Sequence, residues 1–142
     1  MDAGADGGCA ISAGLTLYCW VPITPDHVPT RMPGAGWLTI SVGFGGQHHC
    51  GIALGALPGS LTPARHCWGL NIHGAVGDGT RLARSTPRRI DDGRWVTVNA
   101  GASHTCGIST GGYLYCWGAN YHAQLGIGSD LETVDEPVRV SG

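Results

Sequence analysis

The 142-residue chain is sparsely charged, with 13% Asp, Glu, Lys and Arg, a formal net charge of -2, and arginine as its only strongly basic residue type. Charge this sparse excludes a disordered polyelectrolyte and a nucleic-acid-binding surface, both of which need far more of it. No apolar run approaches the roughly 18 residues of a membrane span, and Met1 to Gly8 shows neither the basic nor the apolar region of a signal peptide.

Residues 1–8 read as a flexible, acidic Gly/Ala leader. A recurring phrase begins at Cys9, and self-similarity of this kind marks a repeat architecture. The first unit, 9–36, is partial. Its CAISAGLTLYCW string, from Cys9 to Trp20, predicts a hairpin, and placing Cys9 opposite Cys19 centres the turn on Gly14. No Trp-led strand precedes it, and the segment between Trp20 and Pro29 is short.

The second unit, 37–93, opens on the strand Trp37-Leu38-Thr39-Ile40 and carries a looser hairpin between Cys50 and Cys67, with an insertion at Leu57-Pro58-Gly59-Ser60. The third unit, 94–142, is the fullest. Trp95-Val96-Thr97-Val98 opens it, and the runs 104–109 and 113–117 flank the turn Thr110-Gly111-Gly112. Placing Cys106 opposite Cys116 centres that turn on Gly111, so both tight hairpins put glycine at the same place, where a three-residue loop needs a residue of positive φ. Period-2 alternation sends Cys106, Ile108, Leu114 and Cys116 to one face, and Tyr115 and Trp117 to the other. Between the second and third units Cys67-Trp68, Gly69, Asn71, His73, Gly77 and Gly79 recur as Cys116-Trp117, Gly118, Asn120, His122, Gly126 and Gly128 at a constant spacing of 49. A proline closes each unit, at Pro29, Pro87 and Pro137.

These landmarks in this order, above all Trp95-Val96-Thr97-Val98, Gly101, His104-Thr105-Cys106, the run from Gly112 to Gly118, Asn120, Gln124-Leu125-Gly126 and Pro137-Val138, resemble a repeat of the regulator of chromosome condensation family, of the bacterial type with paired cysteines. The resemblance spans 95–140 nearly end to end, 37–90 less fully, and the first 32 residues only around the Cys9–Trp20 hairpin. It implies an all-β fold of β-propeller blades, which family members close as a ring of seven four-stranded blades. This chain supplies about two and a half repeats, all in one propeller-type domain. An open arc exposes two strand edges. A fragment of a longer propeller, an arc that self-associates through those edges and a diverged open fold are all compatible with it.

The six cysteines form three hairpin-bracketing pairs. Directly opposite positions bring Cβ atoms within about 4.5–5.5 Å, near the reach of a disulfide. Cys9–Cys19, Cys50–Cys67 and Cys106–Cys116 are therefore disulfide candidates, with buried free thiols as the alternative. Bridges would place the protein at a cell surface or outside the cell, and thiols in the cytoplasm. His48, His49, His66 and His104 crowd the cysteines but lack the close ligand spacing of a zinc site, so no metal or other cofactor is expected. His104, and His49 taken as its counterpart, resemble a structural histidine of the repeat. Trp20, Trp37, Trp68, Trp95 and Trp117 keep the repeat register, as do Gly118, Asn120 and Gly126, and read as structural positions. No Gly-x-Ser-x-Gly elbow, His-Glu-x-x-His helix or phosphate loop occurs. The expected role is a non-catalytic protein-interaction module whose loops meet a protein partner. The insertions from Gly45 to Gln47 and from Leu57 to Arg65 are the contact candidates, with the arm 129–136 next and Arg84, Arg88 and Arg89 as a basic patch. Nucleotide exchange on a small GTPase is the alternative the family's namesake implies, and binding or inhibition of an extracellular enzyme is a second.

Overall fold

Twelve strands form among the described residues of the computed structural model, which are 2–4, 7–20, 28–55, 62–92 and 94–141. They make three four-stranded antiparallel sheets, each a meander in chain order. Blade 1 holds β1 (Asp2–Gly4), β2 (Gly7–Ile11), β3 (Leu17–Trp20) and β4 (Thr30–Arg31). Blade 2 holds β5 (Trp37–Val42), β6 (His48–Leu54), β7 (Pro63–Gly69) and β8 (Arg84–Asp92). Blade 3 holds β9 (Trp95–Ala100), β10 (His104–Ser109), β11 (Leu114–Ala119) and β12 (Thr133–Arg139). This is the all-β arrangement of propeller blades.

The hairpins take the register that cysteine pairing dictates. Cys9 lies opposite Cys19, Cys50 opposite Cys67 and Cys106 opposite Cys116, and all three pairs are disulfides. The two tight turns are closed alike. Ser109 N–H donates to the Tyr113 carbonyl and Gly112 N–H to that of Ser109, both at 2.9 Å; Ser12, Thr16 and Leu15 repeat the pattern at the same distance. The left-handed residue is not the central glycine. It is the residue after it, Gly112 (φ 79°) in blade 3 and Leu15 (φ 56°) in blade 1.

Two readings of the first unit change. Its opening strand is not missing, and residues 2–4 are not part of a flexible leader. Asp2–Gly4 pairs with β2, Asp2 opposite Cys9, because any backbone can fill an edge ladder whatever its side chains. The insertion at Leu57, Pro58, Gly59 and Ser60 lies outside the described residues.

Each blade has a disulfide face and a tryptophan face, and the stack alternates them. The disulfide face of blade 1, with Cys9 and Leu17, packs on Trp37, Ala53 and Trp68 of blade 2. The disulfide face of blade 2, with Cys50, Ile52 and Cys67, packs on Trp95, Val98 and Trp117 of blade 3. Trp37 and Trp117 are fully buried, each ring lying edge-on to the second tryptophan of its blade, with centroids 5.8 Å apart for Trp37–Trp68 and 5.6 Å for Trp95–Trp117. Aromatic pairs in this tilted arrangement gain about 0.5–1.5 kcal/mol beyond their buried area. Gly51 and Gly107 sit beneath the opening tryptophans, where a Cβ would strike the ring of Trp37 or Trp95.

A left-handed conformation costs a non-glycine residue about 1–2 kcal/mol, and the Leu15 side chain is only partly covered. Leu15→Gly is therefore expected to raise stability by about 1 kcal/mol in a denaturant melt, and Gly112→Leu to lower it by a similar amount.

Candidate functional site

In a four-stranded meander the first and third connections leave at one end of the blade and the second at the other. The loops 43–47, 70–83, 101–103 and 120–132 consequently share one end of the arc. The two long ones are built by one asparagine each. Asn71 accepts from Val76 N–H (2.9 Å) and donates to the carbonyls of Thr80 (2.9 Å) and Leu82 (3.1 Å). Asn120 makes the same three bonds 49 residues on, to Leu125, Ser129 and Leu131. One buried amide thus replaces the strand ladder for a dozen residues, and the loop needs no further secondary structure to hold its shape.

The blade 2 loop is also bolted to blade 3. The Ala75 carbonyl accepts from Thr105 Oγ1 and from Trp117 Nε1, both at 2.8 Å. Because the Thr105 proton goes to Ala75, the 2.8 Å contact between Thr105 Oγ1 and His48 Nε2 requires His48 to be the donor, which fixes its tautomer. His48 is buried, and burial followed by the nearby His49 and His104 lowers its pKa from 6.5 to about 4. His104, lowered by burial alone, accepts at its carbonyl from Gly101 N–H (2.8 Å), as His48 does from Gly43 (2.9 Å). The counterpart of His104 is therefore His48, since each lies opposite the glycine after the hairpin tryptophan, Gly118 and Gly69. His49 instead stacks on Trp68. Gly77 completes the contact: a Cβ there would strike the Trp117 indole.

Arg65 is a correction to the sequence reading. Grouped there with the contact loop that starts at Leu57, it lies within β7 and is 1% exposed. Its guanidinium sits 5.1 Å from the Trp95 ring centre and 4.5 Å from that of Trp117. It pairs with Asp91 at 2.9 Å and donates to the Gly77 carbonyl at 3.1 Å. Burial lowers its pKa, and Asp91 opposes the shift. Asp91 in turn accepts from Trp95 Nε1 at 2.8 Å. Arg65 is a structural cation between two blades, and nothing of it is displayed. Of the other arginines, Arg84 pairs with Asp78 at 2.6 Å, Arg88 approaches the same carboxylate at 3.9 Å, and Arg89 is exposed. Burial would raise the Asp78 pKa, but hydrogen bonds from Thr80 and Arg84 outweigh it, and the net shift is downward.

The loop end displays several large apolar side chains among polar ones. Phe44, Leu70, Ile72, Leu82, Tyr121 and Leu131 are all exposed there, Phe44 by 73% and Leu82 by 64%. The two long loops touch, with Tyr121 edge-on to the His73 ring at 5.6 Å and Arg81 donating to Thr133 Oγ1 at 2.6 Å. Gly45 and Gln47 lie at this end, where Gln47 Oε1 accepts from Ser103 Oγ at 3.4 Å. Among the described residues no three His, Cys, Asp or Glu side chains converge as a metal-ligand set. A cleft of about 560 Å³ between blades 2 and 3 is lined by Ile90, Asp91, Arg94, Trp95, Ser109, Tyr115 and Pro137, but its carboxylate is already engaged by Arg65 and Trp95.

Blades of four strands, stacked disulfide face on tryptophan face with asparagine-shaped loops at one end, define a propeller-type repeat protein. The family model described as the regulator of chromosome condensation (RCC1) repeat matches residues 66–108 and 111–142, more than half of the chain, and a second model of that description matches 95–124. The chain belongs to the regulator of chromosome condensation repeat family. No curated protein matches it. Among solved structures it is similar to yeast RCC1 (Prp20) bound to Kap60, at 18% identity and a TM-score of 0.77, covering 96% of this chain and 33% of that one. It is similar to human WBSCR16 at 23% identity and 0.73, covering 96% and 38%. It also resembles Prp20p from Saccharomyces cerevisiae, described with its binding to Gsp1p and histones, at 17% identity and 0.76, covering 99% and 37%. The chain thus spans between a third and two fifths of these solved chains.

His48 is neutral when folded and titrates near 6.5 when unfolded, so the unfolded state binds the extra proton. Stability is full above pH 6.5 and falls as pH drops towards 4, by roughly 3 kcal/mol from this group at 1.36 kcal/mol per pKa unit. Urea midpoints across that range will show the loss, and His48→Gln will flatten it. Arg65→Ala strands Asp91 and empties the space between two indoles, so it should cost about 3–5 kcal/mol, whereas Arg88→Ala at the exposed pair should cost under about 1 kcal/mol.

Proposed function

We propose that the chain is a non-catalytic interaction module that takes a protein partner on the loop-bearing end of its blades. The observation that carries this reading is the set of six large apolar side chains exposed at that end, on loops held rigid by Asn71 and Asn120. Isolated exposed hydrophobics are ordinary, but several clustered at one end mark an interaction surface. Exposed Asp130 and Glu132 beside them supply the polar rim such a surface needs. Rigid loops lose little entropy on binding, which favours affinity. The protein partners of the similar yeast chains, Kap60, Gsp1p and histones, support a protein as the occupant rather than a small molecule. Three disulfides fit an oxidising environment for the encounter.

The test uses the non-reduced full chain as bait, then the purified partner it captures in a titration. Ile72→Asp with Leu82→Asp should weaken binding at least about tenfold without moving the denaturation midpoint, since both side chains are exposed and neither contributes to the core. Unchanged affinity would remove this surface from the function. Nucleotide release from a small GTPase on adding the chain would instead establish the exchange reading.

A further inference from the structure

The cleft between blades 2 and 3, at the end opposite the long loops, carries a chemistry that blade packing does not explain. Its walls are apolar: Ile90 and Pro137 from the last strands of the two blades, and the rings of Trp95 and Tyr115, which meet edge-on at 5.6 Å and 73°. Its uncommitted polar groups are donors. Both oxygens of Asp91 are occupied, one by Arg65 and the other by Trp95 Nε1. Arg94 is exposed, and among the described residues no carboxylate pairs with it. The Tyr115 hydroxyl has no hydrogen-bond partner among them either. Ser109 Oγ accepts from Tyr113 N–H at 3.2 Å and keeps its own proton to give.

The same corner recurs between blades 1 and 2 without these groups. Trp37 stands where Trp95 does, and Ala53 lies opposite it as Ser109 lies opposite Trp95. His66 takes the place of Tyr115, opposite Gly51 as Tyr115 is opposite Gly107, with its ring 5.2 Å from Trp37. Its Nδ1 is already held by the Ala64 carbonyl at 3.1 Å. Gly36 takes the place of Arg94, and the two carbonyls accept alike at 2.8 Å, from Leu54 N–H and Thr110 N–H. The Leu54 side chain fills the space beside Gly36, 2.9 Å from where a Cβ would stand. Building a blade therefore needs no guanidinium, hydroxyl or phenol at these three positions.

We propose that this cleft is a binding site for a small organic carboxylate with a flat aromatic body. Arg94 takes the carboxylate through its paired N–H donors, an arrangement that suits a guanidinium. Ser109 and Tyr115 donate beside it, while the body lies against the two rings, Ile90 and Pro137. A volume of about 560 Å³ is within the roughly 300–1,000 Å³ of small-molecule sites, which combine apolar walls with a few placed polar groups. A cationic ligand would find the lining carboxylate already paired, and a wholly apolar one would leave the donors unmatched. The site shares no residue with the loop end and stands independently of the proposed partner surface.

Titration of 2-naphthoate into the isotope-labelled, non-reduced full chain reads the site by NMR through the Trp95 indole N–H. That resonance should shift saturably, with a Kd below about 1 mM. Acetate, which lacks the aromatic body, and 2-naphthylmethanol, which lacks the charge, should each bind at least about tenfold more weakly. Arg94→Gln should weaken naphthoate at least about tenfold and Tyr115→Phe about two- to fivefold, while Ile72→Asp at the loop end changes nothing. Arg94 is exposed and Tyr115→Phe keeps its ring, and the spectra of both variants confirm that they are folded. Weaker binding than this, equal binding of 2-naphthylmethanol, or full affinity in Arg94→Gln overturns the proposal. Shifts confined to the loop end overturn it as well. Tighter binding of the peptide Gly-Gly-Gly-Phe than of naphthoate would do the same, assigning the cleft to a peptide terminus.

Discussion

The structure depends on one contact, the burial of a tryptophan face against the disulfide face of the preceding blade. A single four-stranded meander has two sides and too few residues to bury either by itself. Stacking solves this for every inner face at once. The buried disulfide and its aliphatic neighbours form the apolar face against which the next blade's opening and hairpin indoles pack. The glycine beneath each opening tryptophan keeps that indole close to its own sheet, and the Ala75 carbonyl receives the Trp117 N–H, so the one polar atom of that buried ring is satisfied.

The same contact relates the loops to the blades. Loop 70–83 does not wait at the surface for a partner to order it, because Asn71 shapes it from inside while Thr105 and Trp117 hold it from the next blade. Its apolar tips, Ile72 and Leu82, are exposed on a fixed frame. Rigidity at this end is thus a by-product of the packing that holds the blades together, with buried His48 and Thr105 hydrogen-bonded in series to the Ala75 carbonyl of the loop.

Much of this was legible in the sequence, since the repeat supplies its own alignment. Cysteine spacing gave hairpin registers, and the constant offset of 49 ties the three bonds of Asn71 to those of Asn120. The errors arose where that arithmetic was not carried through. Pairing Cys50 with Cys67 puts Arg65 opposite Ile52, on the core face, yet its charge and the neighbouring insertion suggested a loop. The same pairing aligns His104 with His48; the adjacent His49 was the wrong choice by one residue, and one residue turns a side chain to the other face. The strand Asp2–Gly4 left no signal, as a run of three small or acidic residues shows no apolar alternation that a pattern could detect. The apolar loop end was also missed, because its residues are scattered along the sequence and only the meander topology gathers them.

Arg65 gives the blades an order. Its position in the repeat is held by leucine in the other two, so the faces that look alike in outline differ in charge. A guanidinium cannot be left dry against aliphatic side chains, and here two indole rings, the Asp91 carboxylate and the Gly77 carbonyl receive it. Blade 2 is thereby matched to the particular neighbour that follows it. Were the second and third repeats exchanged in the gene, the cation would lose the two rings that now receive it, and leucine would take its place between the blades. The repeats share one architecture, yet they are not interchangeable parts, and the chain carries its own reading direction in the placement of a single charge.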